Sequence, residues 1–317
     1  MAHDAHSHTH HGPDGGHDHA HRYGHHHGPV DTGDWRYAVG LAVNLAFVVV
    51  EFTAGLIAGS TALLADTGHN LSDVLGLAMA GGAAWLARRS AHGAASGRRT
   101  YGLGKATVLA ALGNALLLIF ACGAIAFEAV RRFAEPASVE SWTIMIVAGI
   151  GFVINLGTAM LFMNSQHDLN ARGAYLHMLA DAGVSLGVVV AGGVILLTGW
   201  SLVDPLVSLA IVAVILLGTW GLLKDSVNLA LDGAPAGVDM AAVSRALTEL
   251  PGVRAVHDLH VWALSTTETA LTVHLVHDRS DVPALLAEAQ GLVRDRFGIG
   301  HTTFQTEPEP LPDCPGC

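Results

Sequence analysis

Six long apolar segments follow one another between residues 36 and 223 of this chain. Each is close to the ~20 residues that an α-helix needs to cross the hydrocarbon core of a bilayer. Short breaks that carry Gly, Pro, Ser or charged residues separate them. The predicted spans are residues 36–58, 62–87, 104–127, 141–163, 174–199 and 202–223. Six such helices in series would make an implausible soluble core, so we predict an α-helical membrane protein.

The composition agrees with a lipid bilayer as partner and excludes nucleic acid. Charged residues make up 14% of the chain, against about 25% in ordinary soluble domains. The net charge is −11, and no dense basic patch is present that would neutralise phosphates. The three cysteines, Cys122, Cys314 and Cys317, are too few for the disulfide framework of a secreted domain. A reducing compartment is therefore expected for the last two.

Residues 1–34 form a segment rich in His, Gly and Asp. Eleven of the twenty histidines lie within its first 27 residues, and large apolar side chains are nearly absent. Such a segment cannot bury enough surface to offset its ordering entropy, so we predict a disordered tail. It lacks the pattern of a signal peptide. Its irregular His spacing, mixed with Asp, favours a native metal-collecting tail over an expression tag.

Basic residues next to the spans indicate the orientation, because they prefer the cytoplasmic side. The second loop is strongly basic, and further basic residues lie in the fourth loop and after the last span. The third loop has basic residues diluted by acidic ones. The basic residues that mark the cytoplasmic side are Arg88, Arg89, Arg98, Arg99, Lys105, Arg172 and Lys224. Both termini are therefore predicted to be cytoplasmic.

The second and fifth spans each contain a His-x-x-x-Asp motif. The pairs are His69 with Asp73 and His177 with Asp181, and each pair lies on one helical face. Ionisable groups inside a bilayer are costly and need partners or a water-filled path. Two imidazoles and two carboxylates that meet from two helices form a closed tetrahedral set suited to Zn²⁺. The repeated spacing favours a transport site over separate interhelical hydrogen bonds.

Three further polar residues in the first two spans leave alternatives open. Asp66 either joins this site or bonds across a helix or subunit contact, and the second interpretation is favoured. Asn44 and Glu51 are seven residues apart in the first span and share a face. They are interpreted as packing groups rather than as part of the cation path, and we do not predict them as ligands.

After Asp232 the composition becomes that of a small soluble domain. An amphipathic helix over residues 239–250 precedes two strands, 253–264 and 268–277, then a helix over 282–297 and a strand over 302–306. This αββαβ order predicts an α+β layer with its helices on one face. The predicted domains are a tail (1–34), a membrane domain (35–224), a linker (225–234), a metal-binding domain (235–308) and a Cys-x-x-Cys tail (309–317).

These features together resemble the cation diffusion facilitator family of zinc-exporting proton antiporters. The matching features are the six spans, the two His-x-x-x-Asp motifs, Tyr101-Gly102, Asp204-Pro205 and the segment from Val256 to Trp262. The resemblance implies a homodimer whose cytoplasmic, ferredoxin-like domains pair. It also implies a bacterial inner membrane and a metal site made by the four motif residues in each protomer.

The resemblance further implies a cytoplasmic metal site that can be carried over in part. His257, His274 and Glu307 match ligand positions, and Cys314 with Cys317 resembles the terminal pair of vesicular zinc transporters. A redox pair is the alternative for the two cysteines, and a soft metal is favoured. His301 is left out because it is six residues from Glu307. His260 is expected to face the other side of its strand from His257.

Exchange of Zn²⁺ for protons follows from the acid–base properties of the four motif residues. Imidazole binds metal only when neutral and carboxylate only when ionised, so protons and Zn²⁺ compete. A secondary-active exporter of Zn²⁺, with Cd²⁺ and Co²⁺ as further candidate substrates, is the predicted function, rather than an enzyme. The alternatives are a membrane-embedded zinc hydrolase and a metal sensor. Catalytic zinc keeps an open coordination position, however, and four ligands fill the tetrahedron.

Overall fold

The computed structural model describes residues 35–92, 99–163 and 169–309. The predictions for the His-rich tail and for Cys314 and Cys317 lie outside the described residues. Within them, six long helices come first along the chain. They are α1 (Trp35–Ala58), α2 (Thr61–His92), α3 (Lys105–Ala134), α4 (Ser141–Phe162), α5 (Leu169–Thr198) and α6 (Val203–Ala230).

The six helices coincide with the six predicted apolar segments, but several run further. Helix α3 continues past its apolar part through Arg131 and Arg132, and α6 continues through Lys224. The first residues of the segment predicted as a linker, 225–230, are therefore helical. Apolarity marks only the part of a helix that lies in lipid, whereas the backbone hydrogen bonds continue into the polar turns beyond it.

The six helices form a helical transmembrane domain. Among the described residues, α3, α4, α5 and α6 contain stretches long and apolar enough to cross a bilayer. Helix α1 has a shorter apolar stretch, Ala42–Ala58, and α2 is more polar because it carries Asp66, His69 and Asp73. Large apolar side chains such as those of Phe120 and Leu217 are exposed along the helices, as expected for surfaces that contact lipid rather than water.

Helix α2 contacts four other helices, α1, α3, α5 and α6. Its first turn is fixed by the buried carboxylate of Asp204 at the start of α6. This carboxylate accepts hydrogen bonds from the Thr61 backbone N–H (2.7 Å), the Thr61 hydroxyl (2.7 Å), the Ala62 N–H (3.3 Å) and the Ser60 hydroxyl. Arg132 of α3 lies 3.5 Å from the same carboxylate. One acidic side chain therefore joins α2, α3 and α6.

The C-terminal domain has the predicted αββαβ order. Its elements are α7 (Met240–Thr248), β1 (Val253–Ala263), β2 (Thr269–His277), α8 (Val282–Phe297) and β3 (His301–Glu307). The three strands form a mixed sheet in the order β1-β2-β3, in which β1 and β2 are antiparallel and β2 and β3 are parallel. The positions of this domain's site residues depend on that order.

The core of the C-terminal domain lies between the two helices and one face of the sheet. Leu271, Val273 and Leu275 alternate along β2 and pack with Leu247 of α7 and Val293 of α8. Side chains of a strand alternate between its two faces. The intervening residue His274 therefore lies on the opposite face of the sheet, away from the helices.

The C-terminal domain rests against the beginning of α3. The Thr266 N–H, in the turn between β1 and β2, donates to the Thr107 hydroxyl (3.0 Å). Lys105 of α3 holds the end of α6 that leads into the domain, by donating to the Leu229 carbonyl (2.8 Å) and to the carboxylate of Asp232 (2.6 Å). Gly104 is packed so closely that an added Cβ would lie 2.6 Å from the carbonyl oxygen of Leu264. Movement of this end of α3 is thereby tied to the β1–β2 hairpin.

Substitution of Gly104 with alanine is expected to push the hairpin away from α3. The backbone of Gly104 is in the right-handed helical region, so alanine is strained only by the contact with Leu264. Overpacking of this kind lowers the free energy of unfolding by about 1–3 kcal/mol. The loss is measured as a lower thermal unfolding midpoint and as faster proteolysis of the hairpin. Gly113→Ala in α3 is the control, because its Cβ would meet no atom within 4 Å. Equal stability of both variants would contradict the tight contact.

Candidate metal centres

Helices α2 and α5 bring together the two His-x-x-x-Asp motifs. The closest pairs join different helices: His69 Nε2 lies 3.2 Å from Asp181 Oδ1, and His177 Nε2 lies 3.1 Å from Asp73 Oδ2. Within each helix the separations are longer, 3.8 Å for His69 and Asp73 and 3.7 Å for His177 and Asp181. One ligand atom from each residue lies within 4.8 Å of all the others.

This arrangement, called here the membrane cluster (His69, Asp73, His177 and Asp181), has the chemistry of a divalent cation site. It offers two imidazole nitrogens and two carboxylate oxygens, a donor set suited to Zn²⁺ and similar borderline ions. Asp181 is buried, and the other three side chains are between 13% and 24% exposed. The cluster is therefore partly open rather than sealed inside the helices.

The other polar residues of the first two spans lie beside the membrane cluster. Asp66 accepts a hydrogen bond from the Ser185 hydroxyl of α5 (2.9 Å), which is the bond across a helix contact favoured from the sequence. Glu51 accepts from the Asn70 amide (3.2 Å), and Asn44 contacts Met178 through its amide nitrogen (4.0 Å). Asp66 and Glu51 are fully buried.

A second cluster, called here the sheet cluster, lies in the C-terminal domain and consists of His257, His274 and Glu307. His257 and His274 are paired across β1 and β2, and Glu307 ends β3 beside Val276 of β2. His257 Nε2 is 3.1 Å from Glu307 Oε2, and His274 Nδ1 is 2.9 Å from Glu307 Oε1. Their ligand atoms also lie within 4.8 Å of one another.

The electrostatics of the sheet cluster keep its carboxylate ionised. Burial alone would raise the pKa of Glu307, but hydrogen bonds with Gln305 (2.8 Å) and His257, together with the two nearby imidazoles, lower its pKa below the ordinary value. The carboxyl therefore stays in its metal-binding form at a lower pH than a free glutamate would. His274 Nδ1 is buried and lies against the same carboxylate, 2.9 Å from Glu307 Oε1.

Asp258 is a polar neighbour of the sheet cluster that sequence reasoning missed. It sits in a bulge of β1 with φ of 50°, and its carboxylate lies 3.4 Å from His274 Nε2 and 2.9 Å from His260 Nε2. A bulge interrupts the alternation of side chains along a strand, and no residue pattern in the sequence predicts this bulge. His301 lies at the other end of β3 and packs edge-on against Tyr101, away from Glu307.

The chain combines a helical membrane domain and a small C-terminal domain. Each domain contains a cluster of His and carboxylate side chains, and such clusters are typical of membrane proteins that handle divalent cations. Residues 37–229 match the cation efflux transmembrane domain, and residues 235–309 match the cytoplasmic domain of cation efflux proteins. The chain belongs to the cation efflux family, also called the cation diffusion facilitators.

Three bacterial relatives cover most of the chain. The metal cation efflux system protein CzcD of Cupriavidus metallidurans is 37% identical over 290 residues, 90% of each chain. The zinc transporter ZitB of Escherichia coli is 37% identical over 302 residues, 93% of this chain and 95% of the relative. The cadmium, cobalt and zinc/H(+)-K(+) antiporter of Bacillus subtilis is 32% identical over 272 residues, 83% and 85% of the two chains.

Proposed function

We propose that this protein exports Zn²⁺ from the cytoplasm in exchange for protons and binds the ion at the membrane cluster. The observation that carries the proposal is the meeting of His69, Asp73, His177 and Asp181 between α2 and α5. Cd²⁺ and Co²⁺ are further candidate substrates, because borderline divalent ions share these ligands. The names of ZitB and of the Bacillus antiporter support zinc transport and exchange with a monovalent cation.

Exchange follows from the competition of two cations for the same lone pairs. Zn²⁺ binds only neutral imidazole and ionised carboxylate, so its binding displaces protons from the membrane cluster. When the helices rearrange and open the cluster to the other side, where protons are more abundant, protonation of His69 and His177 releases the ion. A site near the middle of the membrane that opens to one side and then the other is the usual logic of secondary transporters.

The arrangement we propose for the whole chain is a homodimer in the bacterial inner membrane with both termini in the cytoplasm. All six long helices span the bilayer: α1 does so with a shorter apolar stretch, and α2 does so despite its polar residues because it packs among the other helices. The domains are those predicted from the sequence: 1–34, 35–224, 225–234, 235–308 and 309–317. The match to the family's cytoplasmic domain, whose name refers to dimers, supports pairing of ferredoxin-like C-terminal domains.

The sheet cluster fits a resident Zn²⁺ that regulates transport. His257, His274 and Glu307 supply two nitrogens and one carboxylate oxygen, whose ligand atoms lie within 4.8 Å of one another. Cys314 and Cys317 are proposed as further soft ligands. A metal bound more tightly by one arrangement of the paired domains shifts the population towards that arrangement.

Transport is favoured over the two alternatives by specific observations. A hydrolytic zinc site needs an open coordination position for water, whereas the membrane cluster supplies four protein ligands. A sensor or buffer gives no reason for four costly polar groups between membrane helices. The relatives are named as efflux proteins, transporters and antiporters.

Zinc uptake by vesicles that contain the purified protein tests the proposal. With an imposed pH gradient, zinc accumulates against its own gradient while an internal pH dye reports proton movement in the opposite direction. Collapse of the pH gradient stops accumulation. Zinc flux without any response of the dye would indicate a channel or uniporter instead.

Simultaneous replacement of His257 and His274 by alanine is expected to lower uptake at every zinc concentration. The sheet cluster then loses both imidazoles and no longer favours the transport-competent dimer, an effect of about fivefold or more for a typical coupling energy. A zinc titration of vesicle uptake measures it. His260→Ala is the matched control, because His260 is a largely exposed imidazole outside the cluster. Identical titration curves for wild type and the double variant would remove the regulatory role.

Deletion of residues 1–28 is expected to weaken uptake mainly at low zinc and to leave the maximal rate nearly unchanged. A tethered segment with eleven imidazoles raises the local zinc concentration without forming a fixed site. The same zinc titration measures the shift in half-maximal concentration. A reduced plateau would mean that the tail takes part in the transport cycle itself.

A further inference from the structure

Glu51 of α1 and Asp66 of α2 form a buried pair of carboxyl groups beside the membrane cluster. Both side chains are fully buried, and the two groups lie within hydrogen-bonding reach of each other. One oxygen of each accepts from a neutral donor: Asn70 for Glu51 and Ser185 for Asp66. The second oxygens, Oε1 of Glu51 and Oδ1 of Asp66, accept no hydrogen bond among the described residues. The neighbouring Thr67 hydroxyl donates to the Leu63 carbonyl instead (2.8 Å).

Two ionised carboxylates are not stable in this arrangement. Taking one unpaired charge out of water is very costly, and two like charges in contact repel each other. No described Lys, Arg or His forms an ion pair with either group. The charged or titratable groups that face the pair are His69 of α2 and Asp181 of α5, and α4 has no charged residue. A single proton between the two unsatisfied oxygens removes one charge and supplies the missing hydrogen bond.

We infer that Glu51 and Asp66 form a proton-binding site that is separate from the membrane cluster and holds one of the protons exchanged for Zn²⁺. This inference rests on the proposed transport function and adds the place where a coupling proton is carried. Zinc binding breaks the O–H bond of the shared proton, which passes to water. After zinc leaves, a proton from the opposite side forms the bond again.

The pair is connected to the membrane cluster through α2 and α5, the two helices that carry the cluster. Asp66 lies one turn before His69 on α2, and Asn70, the donor to Glu51, directly follows His69. Ser185, the donor to Asp66, lies one turn after Asp181 on α5. A divalent charge bound at the cluster stabilises the ionised form of carboxyls one helical turn away, because charges interact strongly where water is scarce. By linkage, protonation of the pair weakens zinc binding to the same degree.

Proton release on zinc binding tests the site directly. Purified full-length protein is titrated with zinc in weakly buffered solution that contains a pH dye, and released protons are counted per bound zinc. Glu51→Gln keeps the shape and lets the amide donate to Asp66 in place of the proton, so it is expected to release about one proton fewer than wild type. Glu51→Asp keeps a carboxyl and is expected to restore the wild-type count.

Glu128→Gln is the matched control, because it makes the same chemical change at the far end of α3, where Glu128 pairs with Arg131 and Arg132. Its proton count is expected to equal that of wild type. An unchanged count in Glu51→Gln, with zinc still bound, would overturn the proton site. That result would leave the transport proposal intact. The transport proposal fails by a different result, zinc transport by Asp181→Ala at the wild-type rate.

A measurement on the wild-type protein keeps the inference testable if Glu51→Gln does not fold. Infrared difference spectra recorded with and without zinc are expected to show loss of the carbonyl band of a protonated, buried carboxyl group when zinc binds. Spectra in which no such band disappears would overturn the inference.

Discussion

Asp181→Ala is expected to reduce zinc uptake into vesicles by on the order of 100-fold or more. Loss of an outer partner of a metal ligand already costs about 10–100-fold in affinity or activity, and this change removes a proposed ligand itself. Asp181 is also the most buried member of the membrane cluster and lies 3.2 Å from His69 of the other helix, so neither water nor a neighbouring side chain easily replaces it. Initial rates of uptake measure the loss.

Asp225→Ala is the control for this variant, because it removes a carboxylate from another long helix, α6, outside the membrane cluster. Its uptake is expected to stay close to wild type. The thermal stability of Asp181→Ala is expected to be largely preserved, since the proposed mechanism leaves the cluster empty for part of each transport cycle. Uptake at the wild-type rate in Asp181→Ala would show that the ion is bound elsewhere.

Asp204→Ala is expected to lower the free energy of unfolding by about 3–5 kcal/mol, the cost of removing one partner of a buried ion pair. The change deprives the first turn of α2 of its acceptor, which receives bonds from Ser60, Thr61 and Ala62. It also removes one of the two carboxylates beside Arg132, which keeps only Glu128. Buried donors without acceptors are costly. Thermal or denaturant unfolding in detergent measures the effect.

The exposed pair of Arg294 and Asp295 provides the comparison for Asp204→Ala. The side chains are 64% and 73% exposed, and surface pairs of this kind contribute about 0–1 kcal/mol. Asp295→Ala is therefore expected to leave stability almost unchanged. Similar unfolding midpoints for the two variants would mean that the Asp204 carboxylate is not a structural junction of the helices.

Periodicity and length were enough to predict the helices and strands of this chain. The apolar segments gave all six long helices, and turn residues such as Pro251-Gly252 separated α7 from β1 as predicted. The grouping of the His-x-x-x-Asp residues also followed from the sequence, because spacing of i and i+4 puts each pair on one helical face. The four residues meet in the structure, and their role as metal ligands remains a prediction.

The features that the sequence did not predict depend on tertiary contacts. Asp204 was recognised only as part of a family motif, since its acceptor role depends on α2 beginning beside α6. Asp258 approached His274 through a bulge, and the pairing of Glu51 with Asp66 required two helices to meet. The sequence favours a packing group at Glu51, and no spacing rule indicates the second carboxyl opposite it.

The geometry of the membrane cluster depends on the relative position of α2 and α5. Each imidazole lies nearer to the carboxylate of the other helix, at 3.2 Å and 3.1 Å, than to that of its own, at 3.8 Å and 3.7 Å. Bonds to a metal tolerate deviations of about 0.2 Å, whereas one residue of helix rise is about 1.5 Å. For the proposed metal site, a slide of α5 along α2 by a fraction of one residue would therefore be sufficient to separate the four ligand atoms, with every side chain keeping its rotamer.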